Sequence, residues 1–592
     1  MYADAQAQSF PAILAGQIGD ASFTQPMVTD QGSGYMYFTG NPASPVGTAY
    51  PDADWIAYGT ATTPSEQLAA LMALPKATMP TSNIGVPGIR AVDMGLPGYG
   101  GSNPYMGRLV DNAELASKKY VDILQDNVAD ATFFTFWLGN NDVLGFATSG
   151  GAYGVNGDVT SPAYRMSGLP DISIFALNYK FMTDLLVEKR GIMSTIPPVS
   201  VAPFFTTVGP QVKAVVDVTP DYTLDANSAG VLNEIYAQAG YESADGNPIF
   251  NEGQNYPVFK TGMAGQMNVR QLDLEADGDL ILLTFGGETG KMVSEGLGFI
   301  NAPEYPNEYA YVVSLATLDV IGQALEGIQP LVDLVASLKQ LSGLGLGGLT
   351  LDGAVTASGG AFTQEQADAI KAGLKSLGFT DDQLAAMTID QIIGTVDKAP
   401  DAVKPLLIMI FMQQGMDQAT AVATADAMTI DQTKATFEAA QSATQQAMIQ
   451  SATDAGLDPS DPAASMKTAS ERLANPIETK WVLDVDEAVL VSAKTAELNG
   501  YISSAVAGNP NWILINSGNL IESVDGETID GIPFTLDYIS GNMFSMDGIH
   551  LTPAGYAIIA KEMVSRMNSD WSQSIPDVNV GDYRTIKMGS VD

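Results

Sequence analysis

Cysteine is absent from the 592 residues, and histidine occurs once, at His550. The first absence excludes disulfides, thiolate metal sites and cysteine nucleophiles. The second excludes any multi-histidine metal site, so chemistry that needs an imidazole must use His550. Positive charge is scarce as well: 27 Lys and Arg stand against 67 Asp and Glu, a net charge of −40. A surface this acidic repels phosphate backbones and anionic lipid, so neither nucleic acid nor a membrane surface is an expected partner. It suits a saline medium, where screening softens the self-repulsion. Long apolar runs are missing too. The longest, Pro405 to Met412, falls far short of the ~18–20 residues of a membrane span, so no integral membrane segment is expected. The start, Met1-Tyr-Ala-Asp, has neither the basic residues nor the apolar core of a signal peptide.

What remains is ample for a folded core, with 46% hydrophobic residues. The first third alternates helix and strand. Ala113 to Gln125 has a helical pattern, and Thr132 to Leu138 is a β-rich run stopped by Gly139. Ile174 to Glu188 is helical again, and Ile192 to Phe205 holds extended segments broken by prolines. This rhythm predicts a parallel sheet with helices on its faces. From 206 to 307 the pattern loosens into loop and cap material with one strand, Leu280 to Phe285. Between Tyr311 and Trp481 there is neither Tyr nor Trp, although the chain has 22 and 5 of them. That stretch carries capping boxes at Thr363/Gln366, Thr380/Gln383, Thr388/Gln391 and Thr429/Gln432, and repeats AMTIDQ from Ala386 and Ala427. Residues 312–480 are therefore expected to be an inserted α-helical domain, either a cap beside a site or an appended bundle. It splits an α/β domain into 1–311 and 481–592. The α/β texture resumes with a helix near Ala488 to Ala505, a strand at Trp512 to Asn516 and a last helix. That helix is capped by Thr552 and striped by Tyr556, Ile559, Ala560, Met563, Val564 and Met567.

Three motif matches fail on context. Gly343-x-Gly345-x-x-Gly348 has no strand leading into it. Gly286 to Lys291 is one residue short of a phosphate loop, with Met292 where Ser or Thr belongs. Asp273 to Gly278 opens like a calcium loop, but Thr284 stands where the bidentate Glu is needed, so a polar turn is expected. Two stretches survive. Gly139-Asn140-Asn141-Asp142 directly follows a strand, where parallel sheets bind ligands. An Asn there can donate its NH₂ to a developing oxyanion, or these residues can simply form a turn. In Asp547-Gly548-Ile549-His550 the carboxylate can accept the ring N–H and fix the tautomer, leaving the other nitrogen as a general base. The plain alternative is a surface His with a neighbouring Asp.

These stretches resemble the signature blocks of the SGNH, or GDSL, hydrolases. Asp547 to His550 followed by LTPAGYAIIAKE resembles block five, FWLGNND at Phe136 to Asp142 block three, and Asn83 to Gly88 block two. QSFPAILAGQ from Gln8, NPYMGRL from Asn103 and VAPFFTTV from Val201 resemble secreted bacterial members. The resemblance covers about 1 to 311 and 481 to 592. It implies a three-layer flavodoxin-like α/β fold and a lipase or esterase acting on small-molecule or lipid esters without metal or cofactor. It also implies catalytic Asp547 and His550, and an oxyanion hole from the Gly88 N–H and the Asn141 side chain. One block is missing. The family's Ser lies in a GDS-type block on the first strand, upstream of the stretch that QSFPAIL resembles, and neither it nor a Gly-x-Ser-x-Gly elbow occurs. The resemblance thus implies that first strand, nucleophile and export signal lie upstream of Met1, in a protein exported to periplasm, cell surface or medium. The alternative is an inactive surface or binding protein that keeps the scaffold.

Overall fold

The computed structural model describes residues 2–29, 31–38, 46–49, 51–151, 167–261, 267–283 and 296–586. In chain order, the elements that matter are helix α1 (Phe10–Ile18), α2 (Tyr120–Asn127), strand β1 (Phe133–Phe136), α3 (Asn140–Thr148), α4 (Ile172–Leu186) and β2 (Arg190–Ser194). They continue with α5 (Pro306–Leu341), α6 (Ile430–Asp454), α7 (Val485–Ala507), β3 (Trp512–Ile515) and α8 (Pro553–Asp570). The chain divides into two compact units: residues 1–229, 241–300 and 475–592, and residues 230–240 with 301–474.

The first unit is mixed α/β around a parallel sheet in the order β3–β2–β1. Phe133 pairs with Arg190 and Phe136 with Met193, while Trp512 pairs with Gly191 and Ile515 with Ser194. Successive side chains of a strand point to opposite faces. Accordingly, Phe133 meets Trp571, just beyond α8, at 6.1 Å between ring centres, whereas Phe136 packs on Tyr179 of α4 at 5.0 Å. Both faces are thus covered, α1 packing on α8 and α4 on α2 and α7. The apolar stripe expected on the last helix is buried from Ile559 to Met567, and the Thr552 hydroxyl caps it by accepting from the Gly555 N–H at 3.0 Å.

The second unit is helical. α5 and α6 pair along their length. Ile321, Ile328, Val332, Val335 and Leu338 of α5 are buried there with Leu351, Leu374, Ile389, Leu407 and Phe437. All four expected capping boxes form. Among the described residues one helix, Pro306–Leu346, is long and apolar enough to cross a membrane, at a mean hydropathy of 1.2. It carries Glu308, Asp319, Glu326 and Asp333, and its apolar stripe lies in this unit's core.

Several boundaries differ from expectation. The helical unit starts at 301 and ends at 474 rather than at 312 and 480. Loss of aromatics marks composition, whereas α5 runs unbroken from Pro306, and Asn475 and Ile477 accept from the N–H groups of Gly298 and Lys260 in the α/β unit. The 206–307 stretch holds helices Val208–Val216 and Ala226–Gln238 and short strands, not loop alone. Residues 113–118 form turns, and α2 begins only at Tyr120, after the Lys119 N–H bonds to Asp122 at 2.9 Å. Asp273 to Asp279 makes the expected polar turn, feeding the strand Leu280–Ile281. Thr284, Phe285 and the Gly286–Lys291 motif lie outside the described residues. Gly343 to Gly348 follows α5 in a helical turn with no strand before it.

The sheet's tightest fit is Gly191 of β2. A Cβ there would come within 2.0 Å of the Phe134 ring. Gly191→Val is expected to cost about 1–3 kcal/mol through displacement of that ring. Urea unfolding followed by tryptophan fluorescence checks this, and an unchanged midpoint would contradict it.

Candidate active site

His550 sits on a tight turn built by Asp547. One carboxylate oxygen, Oδ1, accepts from the N–H groups of Ile549 and His550, each at 2.9 Å, and from the Ser545 hydroxyl at 2.7 Å. The other, Oδ2, lies 2.6 Å from His550 Nδ1. The turn closes because Gly548 takes φ = 71°, a left-handed conformation that Gly adopts without strain. It also presses against the 203–206 segment, its carbonyl accepting from the Phe204 N–H at 3.0 Å. A Cβ at Gly548 would lie 2.9 Å from the Phe204 nitrogen. The strain-free turn therefore needs Gly twice over.

Burial raises the Asp547 carboxyl, but the His550 ring, its charge and the backbone N–H groups outweigh this and hold it at about 2. The same hydrogen bond raises the imidazole above its ordinary 6.5, against desolvation. Burial and the Asp547 charge push the Tyr538 and Tyr556 hydroxyls up to about 12, so both stay neutral beside the pair. With Nδ1 engaged by Asp547, no described residue bonds to Nε2, and the side chain is 67% exposed.

Gly88 and Asn141 belong to two loops that are tied together. Gly88 has φ = 79°, and no described group accepts from its N–H. Gly139 enters α3 at φ = 121°, where a Cβ would strike Ile196 at 2.7 Å. Asn141, in the first turn of α3, donates through Nδ2 to the Ile89 carbonyl at 3.0 Å, leaving its second N–H. Asp142, 1% exposed, accepts from the N–H groups of Ala91 at 2.6 Å and Val92 at 3.2 Å. Asn178 of α4 donates to the carbonyls of the same two residues at 2.9 and 3.0 Å. Burial raises the Asp142 carboxyl to about 7, opposed by those N–H groups and by Arg90. Residues 89–92 are thus clamped by α3 and α4.

Gly88, Asn141, Asp547 and His550 all line one groove of about 2120 Å³ in the α/β unit. The sequence pointed to these four and included Asp142 only as the end of the Gly139–Asp142 stretch, but gave no sign of the roles of Ser545, Asp142 and Asn178. Ser545 was within reach as a hydroxyl two residues from Asp547; the roles of Asp142 and Asn178 depend on contacts across more than 50 residues. Among the described residues, no group of three or more His, Cys, Asp or Glu could hold a metal ion. No family model, curated protein or solved structure matches this chain.

The hydrogen bond stabilises the fold through both partners' protons. A raised imidazole contributes fully below 6.5 and loses its share as pH rises through its folded value. A depressed carboxyl contributes above 3.8 and loses its share as pH falls through about 2. The pair is therefore most stabilising between 3.8 and 6.5. Because His550 is the only histidine, its imidazole gives one assignable proton NMR titration. The expected midpoint lies above 6.5 and falls in Asp547→Asn; a native midpoint at or below 6.5 would contradict the arrangement.

A second expectation concerns Asp142. Asp142→Asn turns one N–H acceptor into a donor facing the Ala91 and Val92 amides, a buried mismatch worth about 1–3 kcal/mol. Faster hydrogen exchange at 89–92 checks this, and unchanged exchange would count against the clamp.

Proposed function

We propose that the chain supplies the base, orienting acid and oxyanion donors of an SGNH-type ester hydrolase on a three-layer flavodoxin-like fold. Its nucleophilic Ser would lie on a strand upstream of residue 1. The observation that carries this reading is the Asp547–His550 pair, with Nδ1 held and Nε2 without a partner among the described residues, lining one groove with Gly88 and Asn141. The Ser hydroxyl attacks the acyl carbonyl carbon while His550 Nε2 takes its proton. Asp547 fixes the tautomer and stabilises the imidazolium. The oxyanion accepts from the Gly88 N–H and the free Asn141 N–H. Collapse expels the alkoxide, which takes the proton from His550, and water then hydrolyses the acyl-enzyme by the same route. The substrate class is a small-molecule or lipid ester, in an exported protein.

A second reading rests on one observation: among the described residues no hydroxyl bonds to the imidazole of His550. It makes the chain a non-catalytic binding protein on the same scaffold.

The test is p-nitrophenyl ester hydrolysis by the protein with its upstream coding sequence. His550→Ala is expected to abolish turnover, and Asn141→Ala to lower kcat by about 10²–10³ with KM little changed. The rate should fall as pH drops through the raised His550 value, since only the neutral ring accepts a proton. Activity that persists in His550→Ala would overturn the reading, and an upstream sequence without a Ser-bearing strand, giving an inactive protein, would favour the second.

A further inference from the structure

α5 is apolar on a second side, away from the core of the helical unit. Tyr309, Val313, Ala316 and Val320 follow one another at i, i+4, i+7 and i+11, the spacing of one helix face. Tyr309 is 38% exposed, and Val313 and Val320 are each 37% exposed. Between Val312 and Ile328 only Ile321 is buried. The hydroxyls in this stretch are spent on their own helix, Ser314 and Thr317 donating to the Ala310 and Val313 carbonyls at 2.7 and 2.8 Å. A helix that is apolar nearly all round is normally covered nearly all round.

α6 is bare beside it, since no residue of 438–447 is buried. The two helices are antiparallel. Lys339 of α5 meets Asp431 in the first turn of α6 at 2.8 Å, and at the other end Arg472 ties Glu308 to the Ala455 carbonyl. Their seam runs through Ile321 and Ile328 of α5 and Phe437, Met448 and Ala452 of α6. At about 100° per residue, the Tyr309–Val320 stripe lies roughly 90° round α5 from that seam. Ala440, Ala443 and Ala447 lie roughly 90° round α6 in the same rotational sense. In antiparallel neighbours, equal rotation in one sense brings both stripes to the same side of the pair.

That side carries no charge, although 16% of the chain is charged and its net charge is −40. α6 has no ionisable side chain from Ala439 to Thr453, and α5 has one from Tyr309 to Leu325. It is Asp319, which falls on the side of α5 opposite the seam and accepts from Gln323 at 2.7 Å. This distribution selects the occupant. A basic partner would be drawn to the carboxylates elsewhere on the molecule. A bilayer would leave the exposed Gln445 and Gln446 amides without partners in hydrocarbon. Two copies of so acidic a chain repel wherever carboxylates crowd, so they can approach closely only at an uncharged face.

The area suffices. From Tyr309 to Gly327 the pair is about 28 Å long and about 20 Å wide, at ~1.5 Å per residue and ~10 Å per helix. Two such faces bury about 1,100 Å², above the ~1,000 Å² that a specific interface needs. We infer that two copies of this chain associate through this face of α5 and α6, completing a four-helix bundle about a two-fold axis. The inference uses nothing of the His550 groove and stands apart from the hydrolase reading.

Sedimentation equilibrium of the protein tests it. A dimer is expected, and its Kd should fall at least about threefold from about 0.05 M to about 0.5 M NaCl, as salt screens the repulsion between copies. Val320→Glu sets a carboxylate on the face and should raise the Kd at least about tenfold. Asp319→Asn, off the face, should leave it within about twofold, and circular dichroism separates lost helix from lost association. Because the chain has no cysteine, Ala443→Cys carries a single spin label, and any label-to-label distance joins two copies. That distance is expected within about 40 Å, since packed helices lie ~8–10 Å apart. A monomer at every concentration and salt, a dimer untouched by Val320→Glu, or a labelled dimer without a resolved distance would overturn the inference. So would binding to phosphatidylcholine vesicles that Val320→Glu abolishes, since a bilayer would then be the occupant.

Discussion

Asp547 is the group on which the site depends. Its two oxygens meet four donors within the same turn: the Ser545 hydroxyl, two backbone N–H groups and the His550 ring. A carboxylate satisfied in this way stays ionised to about 2, so it is charged wherever the imidazole titrates. The charge keeps a proton on Nδ1, leaving Nε2 of this groove-lining residue as the basic nitrogen. Without the turn His550 would be an ordinary exposed histidine. The turn in turn requires Gly548, because any Cβ there would collide with the Phe204 backbone.

The second half of the site is held by a different device. No charge orients Gly88 and Asn141; their loops are pinned by hydrogen bonds that close onto each other. Asn141 reaches back to the Ile89 carbonyl, Asp142 takes the N–H groups of Ala91 and Val92, and Asn178 takes the carbonyls of the same two. Backbone polar groups of Ile89, Ala91 and Val92 are thus satisfied by side chains from two helices, α3 and α4, that both follow β1 in the chain. The loop is thereby held in place, as the proposed stabilisation of a developing charge would demand.

Much of this was legible in the sequence because it is local. Thr552 as a cap, the four Thr/Gln boxes, the β-rich run before Gly139 and the Asp547/His550 spacing are all short-range patterns, and each forms where expected. The failures are non-local. Residues 113–118 have helical composition but are drawn into turns, with the Lys118 carbonyl taken by the Gly98 N–H. Within 206–307, the surrounding Gly and Pro content hid two helices, Val208–Val216 and Ala226–Gln238. Asp142 was read only as the end of the Gly139–Asp142 stretch, with no role of its own, since the amides it binds lie about fifty residues upstream.

The central claim is that one groove holds a base and an oxyanion site aimed at the same acyl carbon. Its most direct measurement is a crystal structure of the active protein trapped with a p-nitrophenyl phosphonate, whose tetrahedral phosphorus mimics the acyl intermediate. The expected result is a phosphonyl oxygen at about 2.7–3.1 Å from both the Gly88 nitrogen and Asn141 Nδ2, with His550 Nε2 in hydrogen-bond reach of the nucleophile's oxygen. A phosphonate bound elsewhere, or one whose oxygen points away from Gly88 and Asn141, would contradict it.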